Sequence, residues 1–356
     1  MTADFTKPTI DDVARVAGVS AATVDRVLNE RSGVRSVTIS KVQDAIAQLG
    51  YVRDTAAANL ARQRIYRLLF ILPDTSNGFI RSLQRELDIQ KNRLTHERTG
   101  IEYVNVSPFD PAALVEVLDQ LNPADTDGVA VFGPESAAVN EAVGRASERG
   151  IVVVALVADL PGSSCDHFVG IDNVAAGRTA AKLQGRFMAG KGEILVLTGS
   201  HLARDHNARL SGFEALITVE FPSLKVVTSI EGRDDNDVVQ DLLPAVFKQH
   251  PNISGIYSAA AGNRGLIRYL QDTGRHQDFV IVAHELTDNS QAALRDGIFD
   301  AVISQDSGHL IRSATRLLKA TADRNSFDRT QERIRIDIYL RENMPEINPD
   351  YEECTL

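Results

Sequence analysis

Cysteine is nearly missing from this chain: its 356 residues hold two, Cys165 and Cys354. Two thiols so far apart in sequence make no disulfide framework, and a reducing compartment is the expectation. Long apolar runs are missing as well. No stretch approaches the ~20 residues a membrane helix needs, and the first residues lack the pattern of a signal peptide. A cytoplasmic chain with no membrane contact is therefore expected. Compact metal-ligand spacing is absent: His201, His206 and His284 fall on separate segments, and a satisfied or solvent-facing ring is expected of each. The run GRFMAGK (185–191) approaches a phosphate loop, but Gly192 stands where the magnesium-binding hydroxyl belongs. It also passes from helix into strand, the reverse of the order a phosphate cradle requires. No Ser/His/Asp set or carboxylate pair stands out, so no metal, no cofactor and no catalysis are expected.

What is present divides unevenly. The chain is 43% hydrophobic, enough to bury substantial cores in two or three domains. Residues 1–66 carry nine Lys/Arg against seven Asp/Glu, or +2, and the remainder carries 29 against 41, or −12. An acidic body repels polyanions and confines any contact with them to the small N-terminal part.

That part reads as three short helices. In TIDDVARVAGVSAATVDRVLN (9–29), Thr9 can cap a first helix with Asp12 completing a capping box, and Val13, Ala14 and Ala17 form its apolar side. Gly18 gives the turn its backbone freedom, and Val19, Val24, Val27 and Leu28 lock a second helix, starting at Ser20, against the first. The exposed start of that helix is small and polar: Ser20, Ala21, Ala22, Thr23. Small residues let a helix approach base edges in a DNA major groove, and Arg26 and Asn29 are spaced to reach phosphates or bases. SVTISKVQDAIAQLGY (36–51) reads as a third helix, with Val42, Ile46 and Leu49 on one face and Gly50 at its end.

These residues resemble the headpiece and hinge of the LacI/GalR family of bacterial transcription regulators. The family pattern runs T-x-x-D-V-A-x-x-A-G-V-S-x-x-T-V-x-R-V-L-N, then L-G-Y and A-x-x-L, and nearly every fixed position is present. The resemblance implies a DNA-binding headpiece over 1–53 and a hinge helix over 54–65. It also implies that Thr9, Ala57 and Leu60 contact DNA, Leu60 wedging a base step apart in the minor groove, with Arg62 and Arg64 near phosphates. Two positions depart from the family: Asp25 replaces the usual serine before the arginine, and Arg53-Asp54 replaces Pro-Asn. A carboxylate at 25 must turn toward Arg26 or Arg35, or accept from a cytosine amine. Alanines at 21 and 22 offer methyl contacts and leave DNA shape to carry selectivity.

From Tyr66 onward, β-branched runs alternate with helical patterns. RLLFILP (67–73), IEYVNV (101–106), GVAVFG (128–133) and IVVVALV (151–157) form one strand series, and EILVLTG (193–199), KVVTSI (225–230), SGIYSA (254–259) and DFVIVAHE (278–285) a second. The expected class is α/β: a small all-α head, then a two-lobe core of doubly wound parallel sheets over 66–350. The N-lobe is expected at about 66–168 plus 302–326 and the C-lobe at about 169–301 plus 327–345. Ligands in such sheets sit beyond the carboxyl ends of the strands. The segments there resemble the sugar-binding core of the family and of periplasmic sugar-binding proteins. By that match Asn77, Phe79, Arg204, Arg209, Asn263, Glu285 and Gln305 form an effector site, Phe79 stacking on a ring and Glu285 taking a pair of hydroxyls. The carboxylate often found after the fourth N-lobe strand is missing, Asp159 lying later.

The resemblance implies a homodimer binding a palindromic operator, expected to repress, with a sugar or related polyhydroxy effector between the lobes. A corepressor role for that effector is compatible with the same residues. The alternative from the residues alone is an α/β sugar-binding or sugar-modifying protein with an incidental helix-turn-helix. RENMPEINPDYEECTL at the end has no leucine heptads, so no tetramerising coiled coil is expected.

Overall fold

The computed structural model describes residues 8–28, 31–51, 64–75, 77–200 and 202–345. The chain divides into a head, Met1–Arg64, and a body, Ile65–Leu356.

In the head, α1 (Ile10–Ala17) begins at the expected capping box. The Asp12 backbone N–H donates to Thr9 Oγ1 at 3.3 Å and the Thr9 N–H donates to Asp12 Oδ2 at 3.0 Å, so two otherwise orphaned donors are satisfied. Gly18 ends α1 at φ 66°, a left-handed turn that costs glycine little. α2 (Ala21–Leu28) follows, with the Thr23 N–H donating to Ser20 Oγ at 3.2 Å. α3 (Ser36–Leu49) stops at Gly50, again left-handed. Val13, Ala14, Ala17, Val24, Val42 and Ala45 make one buried cluster, with Ile46 and Leu49 packed on it.

The body holds two sheets. The first contains β1 (Tyr66–Pro73), β2 (Thr99–Val106), β3 (Gly128–Val131), β4 (Val152–Leu156) and β5 (His167–Val169), all parallel, in the order β2-β1-β3-β4-β5. Side chains alternate across it. Leu68, Phe70 and Leu72 meet Leu83 and Leu87 of α4 (Gly78–Leu94), while Ile71, Val129 and Val131 belong with Leu114 of α5 (Pro111–Gln120) and Val143 of α6 (Ala137–Glu148). Leu83 and Leu87 are fully buried, each contributing roughly 1.5–3 kcal/mol.

The second sheet runs β11-β10-β9-β8-β6-β7: β6 (Lys191–Thr198), β7 (Ser223–Glu231), β8 (Ile253–Ser258), β9 (Val280–His284), β10 (Ala301–Ser304) and an antiparallel β11 (Asp337–Tyr339). Its helices are α7 (Asn173–Phe187), α8 (Arg204–Glu220), α9 (Asn236–Gln249), α10 (Asn263–Asp272) and α11 (Asp288–Arg295). The chain crosses between lobes after β5, after β10 and after α12 (Ser307–Ala322), which packs on the first sheet. The sequence boundary that gave the N-lobe residues from 302 onward needs correcting there. Residues 301–304 pair with β9 and β11, so this crossing lies at Gln305–Asp306.

Candidate functional site

Both sheets end at one cleft. Its free space, open to solvent, is about 1230 Å3, and its lining comes from the segments after β1, β2 and β3 on one side and after β6, β7, β8 and β9 on the other. Strand order explains the place: β1 lies between β2 and β3, and β6 between β7 and β8, so the connections diverge there and leave a crevice.

The two walls differ chemically. The N-lobe wall presents three half-buried phenylalanines, Phe79, Phe109 and Phe132. The C-lobe floor presents Asp205, His206, Arg209, Asp234, Asn263, His284 and Glu285. Arg209 anchors that floor: Nε donates to Asn173 Oδ1 at 2.9 Å, Nη1 to the Ala259 carbonyl at 3.0 Å and Nη2 to Glu285 Oε1 at 3.2 Å. Burial pushes the Glu285 carboxyl up, and the Arg209 charge opposes that shift. Glu285 also sits at φ 66°, a conformation unusual outside glycine; its N–H donates to the Ile303 carbonyl at 2.8 Å, which holds it there.

His284 is buried, and that burial keeps its ring well below the usual imidazole range, hence neutral. Tyr257 Oη lies 2.9 Å from His284 Nε2. With the buried hydroxyl donating to that nitrogen, the neutral ring carries its proton on Nδ1. His284 Nδ1, His206 Nδ1, Glu285 Oε2 and the Thr75 hydroxyl are buried without a hydrogen-bond partner. Gly199 makes room for this group: a Cβ there would strike Asp234 Oδ1 and the His206 ring.

Of the residues expected at the effector site, Asn77, Phe79, Arg209, Asn263 and Glu285 line the cleft. Asn77 also caps α4, its Oδ1 accepting from the Ile80 N–H at 2.9 Å. Asn263 is drawn into the floor, donating to the His284 carbonyl at 3.1 Å and accepting from Ser258 Oγ at 2.7 Å. Two expectations are corrected. Gln305 is off the lining; it is buried and donates to Glu285 Oε1 at 3.0 Å. Arg204 is off the lining too, and bridges the lobes, with Nε 2.7 Å from Asp159 Oδ1 and Nη1 3.0 Å from Glu135 Oε2.

The sequence reading missed Phe109, Phe132, Asp205 and Asp234. Each follows a strand, the one signal that could have found them. His206 and His284 were expected satisfied or solvent-facing, and both are buried with one unpaired nitrogen. His201 lies outside the described residues.

In the head, Ser20 and Ala22 are exposed at the start of α2, with Arg26 exposed one turn on. Thr23 Oγ1 lies 2.9 Å from Ser20 Oγ. Ala21 is half-buried on the head core, so its methyl is only partly available. Asp25 pairs with Arg31 at 3.7 Å, which is neither of the two arginines expected. Thr9 is engaged in the cap of α1. Asn29, Ala57 and Leu60, with the hinge from 54 to 63, lie outside the described residues.

A three-helix head followed by two parallel-sheet lobes around a cleft defines a helix-turn-helix head joined to a two-lobe binding protein. Residues 9–54 match bacterial regulatory proteins of the lacI family and residues 68–326 match the periplasmic binding protein domain. The chain belongs, over most of its length, to the periplasmic binding protein domain family, and its head is a lacI-family helix-turn-helix domain. The HTH-type transcriptional regulator RegA of Clostridium saccharobutylicum is 36% identical over 34% of this chain and 42% of its own length. DegA of Bacillus subtilis (strain 168), also an HTH-type transcriptional regulator, is 29% identical over 58% of this chain and 60% of its own. The chain thus spans about half the length of these relatives. Among solved structures, a solute binding protein of Burkholderia graminis C4D1M in complex with D-arabinose is 20% identical, covers 78% of this chain and 96% of its own, and has a TM-score of 0.71.

Proposed function

We propose that this protein is a cytoplasmic regulator of transcription that docks α2 in the major groove of operator DNA and takes a polyhydroxy effector in its cleft. The observation that carries the reading is the cleft itself: a phenylalanine wall facing the buried Arg209–Glu285 floor, in a chain with a helix-turn-helix head. An apolar ring face suits the wall, and hydroxyls suit a carboxylate and neighbouring ring nitrogens. The protein works as a homodimer, two heads reading the two halves of a palindromic site. It holds no cofactor, catalyses no reaction and needs no membrane.

Effector and operator communicate by favouring different lobe arrangements, so each shifts the population the other binds. Arg204, bridging to Glu135 and Asp159 from across the cleft, contributes to the closed arrangement. Repression relieved by the effector is the reading adopted.

The test is selection of genomic fragments on the full-length protein, followed by fluorescence anisotropy of the enriched site with wild type and Arg26→Ala. Loss of a phosphate or base contact at Arg26 costs about 1–3 kcal/mol, roughly 5- to 150-fold in affinity. No enrichment of any sequence, or a chain that sediments as monomer at micromolar concentration with the site present, would sink the reading.

A further inference from the structure

The cleft has spent its buried positive charge. Three nitrogens of the Arg209 guanidinium are committed, to Asn173, Ala259 and Glu285, and that side chain is 3% exposed. Arg204 is held by Asp159 and Glu135 away from the lining. Arg81 and Arg264 also line the cleft, but both are exposed, where water weakens their pull on an anion. With Glu285 paired to Arg209, two further carboxyl groups remain on the floor, Asp205 and Asp234. An incoming carboxylate or phosphate would meet like charge beside a guanidinium already neutralised.

The unpartnered atoms ask for something else. His284, Glu285, Thr75 and His206 all line the cleft, and each holds a buried polar atom without a partner: His284 Nδ1, Glu285 Oε2, the Thr75 hydroxyl and His206 Nδ1. A hydroxyl donates and accepts at once, so adjacent hydroxyls satisfy such a mixed set where a carboxylate or phosphate group in the same place, which only accepts, cannot. The three phenylalanines opposite favour a ring with an apolar face.

We infer that the effector is a polyhydroxy ring compound without a carboxylate or phosphate, and that the cleft rejects the acid and phosphate derivatives of the same sugar. This rests on the reading of the cleft as the effector site.

Isothermal titration of the full-length protein decides it. The probes are glucose, galactose, arabinose, xylose and ribose, each set beside its acid, phosphate and amino derivatives. The neutral parent that binds is expected to bind about 100-fold more tightly than its acid or phosphate, the scale set by juxtaposing like charges in a buried site. An acid or phosphate derivative that outbinds its parent overturns the inference and leaves the cleft standing as the effector site. If no member binds, neutral or charged, the reading of the cleft falls and the inference with it. Glu285→Gln gives a second, independent measurement. It keeps the side-chain shape and releases the Arg209 charge, so the acid-to-neutral affinity ratio is expected to rise about 10-fold; an unchanged ratio in a folded variant counts against the inference. Should that variant not fold, the wild-type series still decides.

Discussion

Arg209 and Glu285 sit 3.2 Å apart, their side chains 3% and 12% exposed, so each neutralises a charge the other would leave stranded. Removing one partner of a buried pair typically costs about 3–5 kcal/mol because the survivor stays buried and uncompensated. Glu285→Ala is therefore expected to lower the denaturant midpoint of the body by a free energy of that size, while Glu285→Gln, which retains a hydrogen-bond acceptor for Arg209, loses less. Equal midpoints for wild type and Glu285→Ala would show that the charge is not buried as described. Asp12 makes the opposite kind of contribution. The Thr9 N–H and the Arg15 guanidinium hold its carboxyl down to about 2, below its ordinary 3.8. A depressed folded pKa stabilises the head above the unfolded value and is lost as pH falls from about 4 through about 2. A carboxylate-resolved NMR titration should find the Asp12 midpoint well below those of unpaired aspartates, and an ordinary midpoint would refute the cap's role. Residue types at strand ends were legible from sequence; their pairing was not. Arg204 and Arg209 stand on one helix, five residues apart, yet one clasps the other lobe and one roots the floor.

At the scale of elements, helix and strand positions follow from periodicity and stop signals. Gly18 and Gly50 end α1 and α3 where left-handed turns were expected. The strand series agrees because parallel strands covered on both faces read as continuous apolar runs. What escaped was the edge: β5 and β11 span three residues each, too short for a pattern, and β11 carries its neighbours' pairing rather than an apolar run of its own. The bridge from α8 to Glu135 and Asp159 is likewise invisible in sequence. Its side chains are 31–48% exposed, so each ion pair is worth no more than about 1 kcal/mol. Arg204→Ala should accordingly leave thermal stability nearly unchanged. If the bridge favours closure, effector release should quicken by up to about 5-fold, the equivalent of 1 kcal/mol. Stopped-flow measurement of an unaltered off-rate would remove Arg204 from the mechanism.

For the whole molecule, three crossings between two lobes make the cleft a place where small relative movements concentrate. A ligand filling it must prefer one lobe arrangement by a definite free energy to influence anything distant. Allosteric couplings typically reach 1–3 kcal/mol, so a saturating effector is expected to change operator affinity 5- to 150-fold, and operator to change effector affinity by the same factor. Anisotropy titrations with and without effector, matched by calorimetry with and without operator, measure both; unequal factors would mean that more than one linked equilibrium is at work.

The sequence by itself determined the class: the T-x-x-D-V-A…G-V-S run with its cap and turn residues, and the alternation of buried strands with helices, are local patterns whose physics is complete within a few residues. Tertiary structure alone decided which of the candidate polar groups face the cleft and with what charge. Glu285, Arg209, Asn173 and Gln305 come from four segments that meet only when β9, α8, α7 and the end of β10 pack together. Pairing at that buried meeting point, rather than residue type, cancels the opposite charges of Arg209 and Glu285. Burial there also keeps the His284 ring neutral, 2.9 Å from the hydroxyl of a tyrosine 27 residues away along the chain.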